Sequence, residues 1–226
     1  MDKKALVIAL DGPSGTGKSS VCRLVAESLG WHILDSGALY RLVALWSLTD
    51  PLLIKDLGAL TQRLASHQLD FVIPQTSQES GVVLTVDKIP CAEIRQPHVA
   101  EQASVIATHP IVREALLSVQ RDFLRTPGLV AEGRDMASVV FPQAQWRIFL
   151  DAKPEIRAKR RYNQLHKAGR DVNLAQLTQQ IIERDQRDSS RKLAPLLAEK
   201  SARILDTSQL SLAQVVAQIV SWVQSH

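Results

Sequence analysis

The sequence predicts an α/β fold, a parallel five-stranded sheet with helices on both faces. Three observations lead there. Short apolar runs alternate with longer amphipathic ones along the 226 residues, the pattern of successive βα units. The first apolar run is continuous rather than alternating, as expected of a strand buried on both faces. A glycine-rich turn joins that run to the first helical stretch. In such sheets ligands gather at the carboxyl ends of the strands, so residues just after the apolar runs carry the functional information.

Ala5–Leu10 is the first strand and ends at Asp11-Gly12. Lys18–Leu29 has Val21, Leu24, Val25 and Leu29 at helical spacing, and Gly30 closes it. His32–Leu34 is a short strand that runs into Asp35-Ser36-Gly37, and helical periodicity returns over Leu39–Leu48 and Leu57–Ala65. Leu69–Pro74 and Val82–Val86 are β-like and flank the polar stretch Gln75–Gly81, which predicts an antiparallel hairpin inserted into the alternating chain. His98–Ala107 and Ile111–Phe123 are helical, with Pro110 suited to the first turn of the second. Leu129–Ala131 is a strand before Glu132-Gly133-Arg134-Asp135, and Arg147–Leu150 is another before Asp151. Glu155–Lys167 and Leu174–Arg191 are helical and basic, and Ile204–Leu205 is the final strand. Ser211 then caps a helix with Leu212, Val215, Val216, Ile219 and Val223 on one face.

Composition excludes several classes. With 45% hydrophobic and 22% charged residues the chain is not mainly disordered. Two cysteines make no disulfide scaffold; Cys22 reads as a small core residue and Cys91 as a free thiol. No apolar run approaches the roughly 20 residues of a membrane-spanning helix. Lys3-Lys4 before Ala5–Leu10 imitates a secretory leader, but Asp11-Gly12 ends the run early and no small-residue cleavage site follows, so a cytoplasmic setting is expected. The six histidines show no metal-ligand spacing, and Trp31 and Trp46 read as packing residues. The formal net charge is +4, but residues 155–203 alone hold 12 Lys+Arg against 6 Asp+Glu. A local excess of this kind suits clustered phosphates on small molecules, so neither nucleic acid nor membrane is expected as a partner.

Gly12-Pro13-Ser14-Gly15-Thr16-Gly17-Lys18-Ser19 matches G-x-x-x-x-G-K-[ST] between a strand and a helix, the context in which that loop works. Glycines permit turns that aim several backbone N–H groups at one phosphate. Lys18 supplies a point charge near the β- and γ-phosphates, Ser19 a hydroxyl for Mg²⁺, and the helix N-terminus favours anions. No guanine-reading Asn/Thr-Lys-x-Asp segment follows a strand, and the length leaves little room for motor machinery. A small phosphotransferase remains. Arginines furnish its second half: Arg41 and Arg134 lie just beyond strands, Arg157 and Arg161 are four apart with Arg160 beside them, and Arg184, Asp188 and Arg191 share a helix face. Guanidinium groups clamp phosphates, and phosphoryl transfer is catalysed mainly by positioning and charge neutralisation. An anionic phosphate acceptor needs no general base, consistent with the lack of an obvious His or Cys nucleophile.

Taken together these segments resemble bacterial cytidylate kinases. The matching residues are Asp11–Ser19, Leu34–Arg41, Gly133-Arg134-Asp135-Met136 leading into Val139-Val140-Phe141-Pro142, and Glu183-Arg184-Asp185-x-Arg187-Asp188 followed by Arg191. The resemblance implies a P-loop kinase fold with a core of residues 1–36, 106–152 and 172–226. It also implies a monophosphate-binding region at 37–105, with an inserted small β/α subdomain at about 63–105, and a short lid at 153–171. It implies transfer of the ATP γ-phosphoryl group to CMP or dCMP, with Mg²⁺ accompanying ATP.

Gly12, Pro13, Ser14, Gly15, Thr16, Gly17, Lys18, Ser19 and Ser20 would bind ATP, with Ser19 also on Mg²⁺. Ser36, Arg41, Ser104, Arg113, Arg134, Asp135, Arg184, Asp188 and Arg191 would bind CMP. Within that set Arg41, Arg134 and Arg191 would take the phosphate, Arg184 and Asp188 the ribose, and Ser104, Arg113 and Asp135 the cytosine ring. Lys18, Arg157 and Arg161 would be catalytic, the two arginines from the lid. The base chemistry agrees: a carboxylate accepts from the cytosine N4 amine and Arg113 donates to N3 and O2, whereas the O4 of uracil would face Asp135 unfavourably.

Two positions depart from the family pattern. Glu132 stands where Asp is frequent and is given no catalytic role. Ala137-Ser138 replaces the usual Gly-Thr, so a positive φ at 137 would strain the loop beside Asp135. The alternatives are a kinase of UMP or a small metabolite, a non-catalytic nucleotide-binding protein, and a basic RNA-binding module. A monomer is expected, since no long apolar stripe is left over once the sheet's helices are counted.

Overall fold

The continuous apolar runs line up side by side because each needs cover on both faces. The computed structural model describes residues 5–73, 82–167 and 169–225. Its main sheet contains β1 (Leu6–Asp11), β2 (His32–Asp35), β6 (Gly128–Glu132), β7 (Trp146–Asp151) and β8 (Arg203–Asp206). The strand order is β2-β6-β1-β7-β8 and every pairing is parallel, as expected from the sequence. The insert adds β3 (Leu69–Val72), β4 (Val83–Val86) and β5 (Ile89–Pro90) as a separate antiparallel sheet. Part of the expected hairpin, Pro74–Gly81, lies outside the described residues.

The helices are α1 (Lys18–Leu29), α2 (Ser36–Thr49), α3 (Leu57–Ala65), α4 (Pro97–Ile106), α5 (Pro110–Asp122), α6 (Pro154–Lys167), α7 (Leu174–Ser189) and α8 (Leu212–Gln224). Alternation along β1 divides the core. Ile8 and Leu10 pack with Val21, Cys22 and Val25 of α1 and Val215 and Ile219 of α8, while Val7 and Ala9 join the cluster of α2, α4 and α5. Cys22 fills this core and donates its thiol to the Val130 carbonyl at 3.3 Å. Trp31 lies over Gly128, where a Cβ would come within 2.5 Å of the indole, and its ring centroid is 5.9 Å from that of Trp146. Ser211 forms a full capping box with Gln214 at the start of α8. Among the described residues no helix is long and apolar enough to cross a membrane.

Three local features differ from the sequence reading. Asp35 accepts from the Ala38 N–H at 3.0 Å and starts α2 directly at the end of β2, so Ser36 and Gly37 belong to the helix. Met136–Val140 forms a π-helical turn where irregular chain was expected. Finally, β4 turns into β5 through Asp87 and Lys88, both at positive φ (52° and 67°), in a two-residue hairpin with Val86 opposite Ile89. Asp87 tolerates this because its carboxylate accepts from Gln68 N–H and pairs with His67 at 2.7 Å. Lys88 has no such compensation, so Lys88→Gly is expected to raise stability by about 0.5–1 kcal/mol, read as a higher urea midpoint with the slope unchanged.

Candidate active site

The site lies at the carboxyl ends of β1, β2 and β6. The chain leaves β1 at Gly12 with φ of 143°, where a Cβ would sit 2.1 Å from the Leu150 carbonyl oxygen of β7, so only glycine fits. Gly17 (φ 95°) turns the loop into α1. Inside the loop Lys18 is buried and donates to the Pro13 carbonyl at 2.6 Å and to Thr16 Oγ1 at 3.4 Å. Burial, then repulsion from Arg134, pulls its ammonium well below the usual lysine range, against the attraction of Glu132 and Asp11. Ser19 is exposed at the start of α1, and Ser20 behind it is half-buried.

Other side chains brace the loop from outside. Arg157, expected to reach over ATP from a lid, is only 2% exposed and is fully engaged. It donates to the Ala152 carbonyl at 2.8 Å and the Ser14 carbonyl at 3.0 Å, pairs with Asp185, and packs on Gly15. Helical spacing alone put Arg157 with Arg161; burial separates them, because α6 lies with Arg157 against the loop and Arg161 on its open side. Arg160 and Thr207 both donate to the Thr16 carbonyl, at 3.3 Å each.

Asp11, the last residue of β1, ties the loop to the segment after β6. Its two carboxylate oxygens accept from Met136 N–H at 2.8 Å and Ala137 N–H at 2.9 Å. Ala137 thus sits in the π-helical turn without a positive φ, and the strain expected there is absent. Burial raises the Asp11 carboxyl to about 6 despite these bonds. A folded-state pKa above the unfolded one means that the native protein binds the proton more tightly. Stability from this group therefore falls as pH rises from about 4 to about 6, by about 3 kcal/mol, and is flat above that range. Urea unfolding at pH 4.5 and pH 7 should show about 2 kcal/mol of this loss in the wild type and a smaller one in Asp11→Asn; equal losses would remove Asp11 as the cause.

Glu132 ends β6 beside the loop. Burial, then the Asp35 carboxylate, pushes it up to about 7, while Lys18, the Ser19 hydroxyl bonded to it and Arg134 act the other way. Its Oε1 is buried without a hydrogen-bond partner.

The second half of the site is a group of guanidinium groups around one carboxylate. Asp188, 1% exposed, pairs with Arg134 Nε at 3.1 Å and with Arg191. Burial works to raise it, but Arg134, Arg191 and Arg184 together hold it below the usual carboxylate range. Arg184 is brought down to about 10 by burial and by Arg134, with Arg41 and Arg191 adding to the repulsion. Arg161 is likewise lowered by burial, Arg41 and Arg170. The Nε atoms of Arg184 and Arg191 are buried without acceptors. Buried donors left open inside a cluster of like charge mark a site for an anion.

Beside this cluster Arg113 pairs with Asp135 and donates to the Ala107 carbonyl at 3.3 Å. Tyr40, which the sequence reading did not single out, has its phenol pushed up to about 12 by burial, in the field of Arg113, Asp135 and Arg191. Ser104 is buried and accepts from Arg187 at 3.3 Å, and Ser36 is buried and accepts from Gln120 at 3.1 Å. Among the described residues no group of three or more His, Cys, Asp and Glu is placed to hold a metal.

A family model described as cytidylate kinase matches residues 8–225. The chain belongs to the cytidylate kinase family. A cytidylate kinase of Aeromonas salmonicida is 45% identical over 224 residues, 99% of this chain and 96% of its own length. Those of Methylococcus capsulatus and Polynucleobacter asymbioticus are 46% and 47% identical, each over 97% of this chain and 97% and 96% of their own lengths. This cytidylate kinase family member brings Lys18, Arg134, Asp135, Arg184, Asp188 and Arg191 close together. The residues to which sequence reasoning gave no role are supporting ones: Asp11, Tyr40, Arg160, Asp185 and Arg187. Four of them lie inside quoted segments, Asp11 in Asp11–Ser19, Tyr40 in Leu34–Arg41, and Asp185 and Arg187 in Glu183–Asp188, and Arg160 stands beside Arg161; these segments were the available signal.

Proposed function

We propose that the chain transfers the γ-phosphoryl group of ATP to CMP or dCMP, giving ADP and CDP or dCDP. The observation that carries this reading is the pair of buried guanidinium Nε atoms, Arg184 and Arg191, open beside a phosphate-binding loop. A hydrolase or switch needs one phosphate site; here a second anion is called for next to the first. Arg41, Arg134 and Arg191 would hold the acceptor phosphate, Arg184 and Asp188 its ribose, and Arg113, Asp135 and Ser104 its cytosine. Residues 12–20 would hold ATP.

Mg²⁺ fits this site, because Ser19 offers an exposed hydroxyl and the orphan Oε1 of Glu132 adds a hard oxygen nearby. Bound with ATP it would offset charge on the β- and γ-oxygens. Lys18 would leave the Pro13 carbonyl to meet the same oxygens, and Arg161 would add charge from α6. The acceptor phosphate is already an anion, so positioning and neutralisation suffice. Arg157 acts in this reading by holding the loop in shape.

The region 37–105 and the part of the 153–171 segment beyond Arg160 would close over the substrates and exclude water. The enzyme would be monomeric and cytoplasmic, and the concentration of basic residues around the site would serve small phosphorylated ligands and not a nucleic acid. The test is ADP release with MgATP and each of CMP, dCMP, UMP, AMP and GMP. CMP and dCMP should dominate; no turnover with any monophosphate would reject the kinase reading, and UMP matching CMP would reject the base pocket.

A further inference from the structure

After β6 the chain forms a short arch with Arg134 and Asp135 as its span, and both feet of the arch stand on β1. At one foot the Gly133 N–H donates to the Leu10 carbonyl at 3.0 Å, continuing the parallel ladder. At the other the Met136 and Ala137 N–H groups donate to the two carboxylate oxygens of Asp11, at 2.8 and 2.9 Å. From the span Arg134 reaches Asp188 and Asp135 reaches Arg113.

The second foot carries the information. Met136–Val140 is a helical turn, and the first N–H groups of such a turn have no partner within it. The residue at the N-cap position usually supplies one, and Asp is among the types best suited to do so. Asp135 stands at that position, with non-helical φ and ψ of −147° and 26°, yet its side chain makes no cap bond. Asp11 caps the turn instead, from a strand 125 residues away. It is 5% exposed, so little water is at hand to replace it. A carboxylate at position 11 accepts with both oxygens, whereas an amide accepts with one and turns its NH2 toward the other N–H. That N–H then lacks an acceptor, and the side chain that the sequence places to supply one is that of Asp135 itself.

We propose that Asp11 is a positioning residue for acceptor binding: by capping the turn in place of Asp135, it keeps the Asp135 carboxylate on Arg113 and turned to the acceptor. The proposal rests on the reading of Asp135 as part of the acceptor site. Without Asp11 the Asp135 carboxylate is drawn from Arg113 to the N–H groups of its own turn, and the acceptor loses a partner. The loss of about one hydrogen bond corresponds to about a 10-fold change in affinity.

The experiment is a double-mutant cycle on the dissociation constant of CMP, titrated alone by calorimetry so that nothing turns over. It uses Asp11→Asn, Asp135→Ala and the double variant, with folding checked by circular dichroism. Asp11→Asn should weaken CMP binding about 10-fold and leave that of MgATP, titrated without acceptor, within about twofold of wild type. In the Asp135→Ala background, where no carboxylate remains to be diverted, it should weaken CMP binding no further. Asp11→Ser, whose hydroxyl accepts from one N–H, should act in the same direction and serves if the Asn variant does not fold. An unchanged CMP affinity in a folded Asp11 variant, an equal loss with and without Asp135, or a matching loss for MgATP overturns the proposal and leaves the kinase reading intact. An Asp135→Ala variant that binds CMP as tightly as wild type overturns the placing of Asp135 in the acceptor site, and the role of Asp11 with it. A wild type that does not bind CMP overturns the kinase reading itself.

Discussion

Lys18→Met should lower kcat about a thousandfold or more while leaving the fold at least as stable. The two effects separate because the lysine is costly where it sits. Its ammonium is buried, repelled by Arg134, and hydrogen-bonded to the loop's own Pro13 and Thr16. Methionine matches its length without a charge to desolvate, and replacing a buried charge by an apolar group of similar volume is often neutral or stabilising. Glu132 loses an attractive neighbour, but a group already raised to about 7 can stay protonated. The catalytic loss follows from removing the charge aimed at the transferring phosphoryl oxygens, an effect of about 10²–10⁵ in such sites. The check is kcat by coupled assay together with the urea midpoint. Activity within tenfold of wild type, or a loss accompanied by unfolding, would contradict this account of Lys18.

Asp188→Ala should produce the largest loss of stability. One carboxylate holds Arg134 and Arg191 and offsets Arg184, and all of them lie in a region with little water. Removing one partner of a buried ion pair typically costs about 3–5 kcal/mol, because the remaining charge stays buried and unpaired. Here several guanidinium groups are left facing one another, so the upper end of that range is expected. The same reasoning predicts a rescue. Inorganic phosphate can take the place of the missing negative charge, and a ligand that binds only the native state stabilises it. Phosphate should therefore raise the urea midpoint of Asp188→Ala more than that of the wild type. Equal responses would mean that the arginine cluster is not short of negative charge, and the reading of an acceptor-phosphate site would lose its physical basis.

The sheet and most helices were legible because their signals are local. A continuous apolar run, a helical stripe, Pro110 at a first turn and Ser211 before an apolar face each state their structure within a few residues. The phosphate loop was legible for the same reason. The Asp87-Lys88 hairpin was hidden because Lys88 stands where such turns usually carry Gly, so Asp87 alone gave no turn pair to read. The π-helical turn was hidden because one extra residue per turn leaves no compositional trace; it is held by Asp11, 125 residues from Met136. Arg157 was placed correctly on its helix but not on the right side of it, since spacing orders side chains around an axis without saying which side meets the loop. The bond from Arg187 to Ser104 spans 83 residues and two helices, and depends on packing that no single segment encodes.

The central claim is that two anion sites lie side by side so that a phosphoryl group passes from one ligand to the other. Phosphorus NMR of the enzyme with MgATP and CMP tests it most directly, because it identifies where the phosphoryl group goes. The account predicts ADP and CDP appearing in equal amounts, with no build-up of inorganic phosphate. Inorganic phosphate in place of CDP, or an unchanged ATP spectrum, would contradict it.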